Sequence, residues 1–145
     1  MDDSTALAAL DDLARLVRRA SQELDRAIAV CLGESSVGRW HVLNAVTGAE
    51  GLSMSQLADA TLLNSATLTR LIDAMIADNL VHRKVDATDR RRVLVFPTRR
   101  GQSTRAAMSE ALTASGLTQL AGGAAATKSL TALVDRIATT EPAAL

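Results

Sequence analysis

Between residues 64 and 80 the apolar side chains Leu68, Leu71, Ile72, Met75, Ile76 and Leu80 recur as i, i+3, i+4, i+7, i+8 and i+12, the pattern of one helix face. At Val81 the helical rhythm stops. From there the chain reads V-H-R-K-V, then D-A-T-D-R-R-R, then V-L-V-F-P-T-R-R-G. Val81 to Val85 and Val93 to Phe96 fit two short strands joined by a turn rich in Asp, Thr and Arg. An amphipathic helix delivered directly into a basic hairpin admits few topologies. Asn64 supplies an N-cap for this helix and Asn79, tolerant of the left-handed conformation, can close it. Pro97 lacks a ladder donor and is expected to end the second strand, with Thr98 capping the helix beyond.

The charge on this segment points to a partner. From Arg83 to Arg105 eight basic residues (Arg83, Lys84, Arg90, Arg91, Arg92, Arg99, Arg100 and Arg105) stand against Asp86 and Asp89, a local charge of +6. The formal net charge of all 145 residues is zero, so the remainder carries −6. That asymmetry implies a polyanion on one face. Trp40 and Phe96 are the only aromatic residues, which leaves almost nothing for base-stacking modes of single-strand or RNA binding. Duplex DNA is the polyanion that remains.

Other function classes are excluded by what the chain lacks. One cysteine, Cys31, rules out an internal disulfide and a multi-cysteine zinc site. There is no Gly-rich phosphate loop and no metal-ligand cluster, and His41 and His82 are the only histidines, so no catalytic residue, metal or cofactor is expected. No apolar run approaches the ~18 residues of a membrane span, and the acidic start (Asp2, Asp3) is unlike a secretory leader, so a soluble cytoplasmic protein is expected.

Outside the hairpin the chain is helical. Leu7, Leu10, Leu13, Val17, Leu24 and Ile28 stripe a long first helix from Thr5 to about Leu32, ended by Gly33. Ser35 or Ser36 can cap a second helix carrying Val37, Trp40, Leu43 and Val46, which stops near Gly48 to Gly51. Ser53 and Gln56 form a capping box ahead of a short third helix running to Thr61. After the hairpin a fifth helix is expected over Arg100 to Leu120 with Met108 and Leu112 inward, breaking at Gly122-Gly123. A sixth carries Leu130, Leu133, Val134 and Ile137 until Pro142.

The order helix, helix, helix, hairpin is that of a winged helix-turn-helix, and its physics assigns roles. A helix N-terminus aimed at DNA offers N–H groups to a phosphate, and Asn64, Ser65 and Thr67 add short donors; an ordinary solvated first turn is the alternative. Turning each residue by 100° puts Ala66, Arg70, Asp73 and Ala77 opposite the apolar stripe. Arg70 can take a guanine through O6 and N7, while Thr69 and the Ala66 methyl suit a thymine methyl group. Asp73 can steer Arg70 or accept from cytosine. In the wing Arg90, Arg91 and Arg92 are expected to alternate across the hairpin, so they cannot share a target.

Three stretches, L-S-M-S-Q-L-A-D-A, N-S-A-T-L-T-R-L-I-D-A-M-I-A-D-N-L-V-H-R and D-A-T-D-R-R-R-V-L-V-F-P-T-R-R-G, come in an order and spacing that resembles the MarR family of bacterial winged-helix transcription regulators. The resemblance implies a mainly α fold with a small β-wing. It makes 1–145 one domain, with the winged helix-turn-helix over 35–100 and dimerisation helices over 1–32 and 101–145. It implies a homodimer that acts as a repressor or activator and is released by a small ligand or thiol modification. Within it Arg91 is the residue that enters the minor groove, with Asp89 holding it. It also places Trp40, His41 and Met108 near a cleft where relatives bind aromatic acids, so a small aromatic or lipophilic effector is a candidate partner. Read alone, His41 is an effector contact or, more commonly for such a histidine, a surface or interface residue, and Cys31 is a redox sensor or, more commonly for a lone cysteine among aliphatic residues, inert packing. Leu62 stands where many relatives have glycine before the recognition helix, Asn79 where many have glycine after it, and Pro97 where leucine is usual.

Independently of the resemblance, the stripes of the first and sixth helices exceed what a single winged-helix core can bury. A two-fold axis that pairs them would remove two aggregation-prone patches and set two recognition helices on a pseudo-palindrome. The competing reading keeps the winged helix as a protein-interaction module whose basic wing meets an acidic protein.

Overall fold

The structure is a computed structural model that describes residues 2–34 and 36–140. Ser35, one of two caps offered for the second helix, and Pro142, the expected stop of the sixth, lie outside them. The element order is α1 (Asp3–Leu32), α2 (Ser36–Thr47), α3 (Met54–Thr61), α4 (Ser65–Ala77), β1 (Val81–Val85), β2 (Val93–Pro97), α5 (Arg99–Ser115), a 3-10 segment (Leu117–Ala124) and α6 (Ala125–Thr139). Helix with a two-stranded wing is the expected class.

Local chemistry accounts for most element starts. Asp2 caps α1 by accepting from the Thr5 N–H at 2.7 Å, and Gly33 ends it with φ 93°. At α3 both halves of the capping box form: the Gln56 N–H donates to Ser53 Oγ at 3.2 Å, and the Ser53 N–H to Gln56 Oε1 at 3.0 Å. The Thr67 N–H donates to Asn64 Oδ1 at 2.9 Å at the start of α4, and the Gly101 N–H to Thr98 Oγ1 at 2.9 Å at the start of α5. Asn79 closes α4 with φ 57°.

One core joins these elements. Val42, Leu43 and Val46 of α2, Leu57 of α3, Leu68, Ile72 and Met75 of α4, and Leu80, Val81 and Val95 around the wing are buried together. The inward residues of α4 are those its spacing selects.

The wing pairs antiparallel from Val81 opposite Pro97 to Val85 opposite Val93. The Thr98 N–H donates to Leu80 O at 3.0 Å and the Asp86 N–H to Arg92 O at 2.9 Å, so hydrogen-bonded pairs fall on even β1 positions. Opposite Val81, Pro97 has no donor to lose toward β1. The strand therefore continues one residue past the expected end at Phe96. On its other edge Val95 exchanges both backbone bonds with Leu52, at 2.7 and 3.1 Å, which ties the wing to the segment before α3.

Two helices depart from expectation. α5 stops at Ser115 instead of Leu120, because Gly116 takes the left-handed conformation (φ 84°) and its N–H donates to Thr113 O. The chain then turns through Gly122, Gly123 and Ala124, all with positive φ, into α6. On α1 only Ile28 is buried. Leu7, Leu10, Leu13, Val17 and Leu24 stay exposed, as do Leu130, Val134 and Ile137 of α6, which packs mainly on the 3-10 segment.

Leu62, between α3 and α4, holds φ 59° and is 89% exposed. A non-glycine residue in that region costs about 1–2 kcal/mol, and an exposed side chain returns little of it. Leu62→Gly is therefore expected to raise unfolding stability by about 1 kcal/mol, after the entropy glycine adds to the unfolded chain. A urea titration that shows equal or lower stability contradicts this.

Candidate nucleic-acid interface

α4 presents one face to solvent. Asn64, Ser65, Ala66, Thr67, Thr69, Arg70 and Asp73 are all exposed, and the opposite face fills the core. With the Thr67 N–H taken by the Asn64 cap, the Ser65 and Ala66 N–H groups at the helix start point out without a partner among the described residues. Small side chains there leave the helix end open to close approach. Arg70 has no ion pair among the described residues, so its guanidinium is available.

Asp73 does not steer Arg70. Its Oδ1 accepts from Nη2 of Arg83 on β1 at 2.7 Å. Asp78, at the end of α4, pairs with Arg39 of α2 at 2.6 Å. Both acids of the helix are thus held by arginines from neighbouring elements, a pairing across ten or more residues that helix spacing cannot reveal.

Residues 86–92 form the wing tip, and its backbone is fixed by its own side chains. Asp86 Oδ1 accepts from the Thr88 N–H at 3.0 Å and the Thr88 hydroxyl at 2.9 Å; the backbone bond first, then the hydroxyl, holds its carboxyl below the usual carboxylate range. Asp89 Oδ1 accepts from the Arg91 N–H at 3.1 Å and lies 3.6 Å from Arg91 Nε. The Arg92 N–H donates to Asp89 O at 3.0 Å. Arg90, Arg91 and Arg92 sit in this turn and not along the strands, so the expected strand alternation does not apply to them. With its side chain 95% exposed, Arg91 projects from a turn braced by Asp89. Below the tip, His82 stacks on Phe96 with ring centroids 5.5 Å apart.

A concavity lies at the base of the winged helix. It has a volume of about 260 Å³ and is lined by Leu24, Asp25 and Ile28 of α1, Trp40 and His41 of α2, Leu112 of α5, and Leu117 and Thr118. The Trp40 and His41 rings are 5.2 Å apart, and Trp40 Nε1 is buried without a hydrogen-bond partner among the described residues. Met108 is not part of this lining. It packs against the hydrophobic core, and Leu112, one turn further along α5, takes the position expected of it. Cys31 is a half-buried free thiol. Among the described residues no three His, Cys, Asp or Glu side chains cluster to hold a metal, and no helix is long and apolar enough to cross a membrane.

Residues 36–92 match the model of the MarR family. Among solved structures, CouR from Rhodococcus jostii RHA1 bound to p-coumaroyl-CoA matches with a TM-score of 0.74 at 22% identity, over 92% of this chain and 96% of that one. A cysteine-to-serine mutant of MarR from E. coli complexed with operator DNA matches at 0.72 and 20%, over 89% and 95%. BpsR of Bordetella bronchiseptica, whose DNA binding is regulated by 6-hydroxynicotinic acid, matches at 0.71 and 26%, over 88% and 94%. Among curated proteins no sequence matches the chain.

Proposed function

We propose, from the match of residues 36–92 to the MarR family model, that the chain is a winged-helix transcription regulator of that family, works as a homodimeric repressor on a pseudo-palindromic operator and is released by a small aromatic or lipophilic effector. One observation carries the reading. The N-terminal face of α4, with Arg70 unpaired, and the wing tip, with Arg91 held outward by Asp89, are two DNA-reading elements rooted in one core. Asn64, Ser65 and Thr67 position the helix on phosphate, while Ala66, Thr69 and Arg70 meet base edges in the major groove. Arg91 enters the adjacent minor groove, favoured where that groove is narrow, and Arg90 lies on the backbone beside it.

The apolar faces left open on α1 and α6 support pairing with a second copy, which would cover both and place two α4 helices about one turn of DNA apart. The cavity beside Trp40 and His41 supports the effector: it is apolar except for His41, Asp25 and Thr118, and it lies where α1, α2 and α5 meet. Two structural relatives are described with aromatic acid ligands, as a coenzyme A thioester or free.

Arg91→Ala tests the reading. A charge-assisted contact is worth about 1.5–3 kcal/mol, so operator affinity should fall between about tenfold and somewhat over a hundredfold with the oligomeric state unchanged. Fluorescence anisotropy at fixed salt measures it. Unchanged affinity would remove the wing from the DNA and favour an acidic protein as its partner.

A further inference from the structure

The hydrogen bond from Arg83 to Asp73 is the one side-chain hydrogen bond among the described residues that joins α4 to β1, and so the one that links the helix face to the wing. Arg83 lies opposite Val95 in the wing register and shares its strand face with Val81, which turns its side chain toward α4 where β1 leaves the core. Asp73 sits three residues past Arg70 on the exposed face. From this we infer that Asp73 is a specificity-positioning residue: it sets the angle of the wing to the recognition helix and reads no base itself. The inference rests on the DNA-binding function proposed above and assigns to one acid the coupling between the two elements.

Charge separates this role from a plain stabilising one. Both side chains of the pair are about half exposed, and such a bridge adds little to folding stability. A carboxylate on a face that meets phosphates also repels every duplex equally. An acid that contributes little to the fold and opposes binding is accounted for if it discriminates. By holding Arg83, Asp73 keeps the wing at one inclination, so that only a duplex whose minor groove is narrow at the matching distance accepts Arg91 while α4 is seated. Without the latch the wing adapts to more groove shapes. Sequence preference then weakens at the flanks that the wing reads through shape, and stays intact under α4.

The test is selection of random duplexes by the full chain and by Asp73→Asn, Asp73→Ala and Arg83→Ala, with affinities for the selected operator and a random duplex at one salt concentration. Expected for Asp73→Ala are a two- to threefold gain on the random duplex, a fall of about fivefold or more in the operator-to-random ratio, and loss of preference confined to the flanks. Arg83→Ala should reproduce the flank loss, and the double variant should add nothing to it. In the free protein, amide order parameters of residues 86–92 should fall for Asp73→Ala, a readout that needs no DNA. Loss of preference at a single base pair under α4 with intact flanks would make Asp73 a base reader and overturn the inference. So would an unchanged ratio, or a wing as rigid as before. A wild-type chain that enriches no sequence would overturn the DNA-binding function and the inference with it, whereas an enriching wild type with indifferent variants overturns the latch alone.

Discussion

Changing Val134 and Ile137 of α6 together to aspartate is expected to leave a folded monomer that has lost tight operator binding. Both side chains are exposed, at 61% and 63%, and α6 contributes no residue to the buried core, so charge placed there leaves the winged helix intact. Leu133 on the same helix is half-buried against its own chain and would confound the test. In the proposed dimer these positions would be buried, and two aspartates per subunit facing an apolar surface without partners would oppose association strongly. DNA affinity should fall with it. Two linked half-sites hold the second recognition helix at millimolar effective concentration, and its loss lowers affinity by about a hundred- to ten-thousandfold. Sedimentation velocity gives the oligomeric state, and anisotropy on the same samples gives the affinity. A variant that remains dimeric, or a monomer that binds as the parent does, contradicts the proposed interface.

Gly101→Ala should be the most damaging single substitution in the winged helix itself. A Cβ at this position would lie 2.0 Å from the Leu80 carbonyl oxygen, 3.0 Å from its carbon and 3.3 Å from Leu43 Cδ2. The first two are backbone atoms that no rotamer change can move. They belong to the clasp that closes the base of the wing: the Thr98 hydroxyl donates to Asn79 O at 2.6 Å, the Thr98 N–H to Leu80 O, and the Gly101 N–H returns to Thr98 Oγ1. Relieving the overlap means moving the start of α5 away from β1, which strains all three bonds and the packing of Leu43. A loss of about 3 kcal/mol is expected from overpacking that cannot relax, seen as a lower urea midpoint by circular dichroism. A loss below about 1 kcal/mol would mean that the approach of α5 to residue 80 is looser than the structure has it.

The parts of the fold governed by contacts within four residues were readable from the chain. Asn64, Thr98 and the Ser53 and Gln56 pair cap their helices as their types and positions require, and the α4 stripe buries as its spacing predicts. Features set by distant contacts were not. Asp73 and Arg83 are ten residues apart on different elements, and periodicity along α4 offers Asp73 only Arg70 as company. The cavity took Leu112 instead of Met108 because a helix turn separates them, and which one meets α1 depends on how α5 crosses it. Gly116 ended α5 early although Gly122-Gly123 gave the louder signal in sequence. The wing arginines fell in the turn because Asp86 and Asp89 organise residues 86–92 through their own backbone bonds, and no strand reaches them.

Selection of random duplex DNA on the purified chain at near-physiological salt tests the central claim most directly, together with the affinity of the enriched site at several salt concentrations. The proposed two-fold pairing of two α4 helices flanked by basic wings predicts an inverted repeat with half-sites about 10 base pairs apart, and a steep loss of affinity as salt rises. A well-folded dimer that enriches no sequence, or one whose binding is indifferent to salt, would contradict the account.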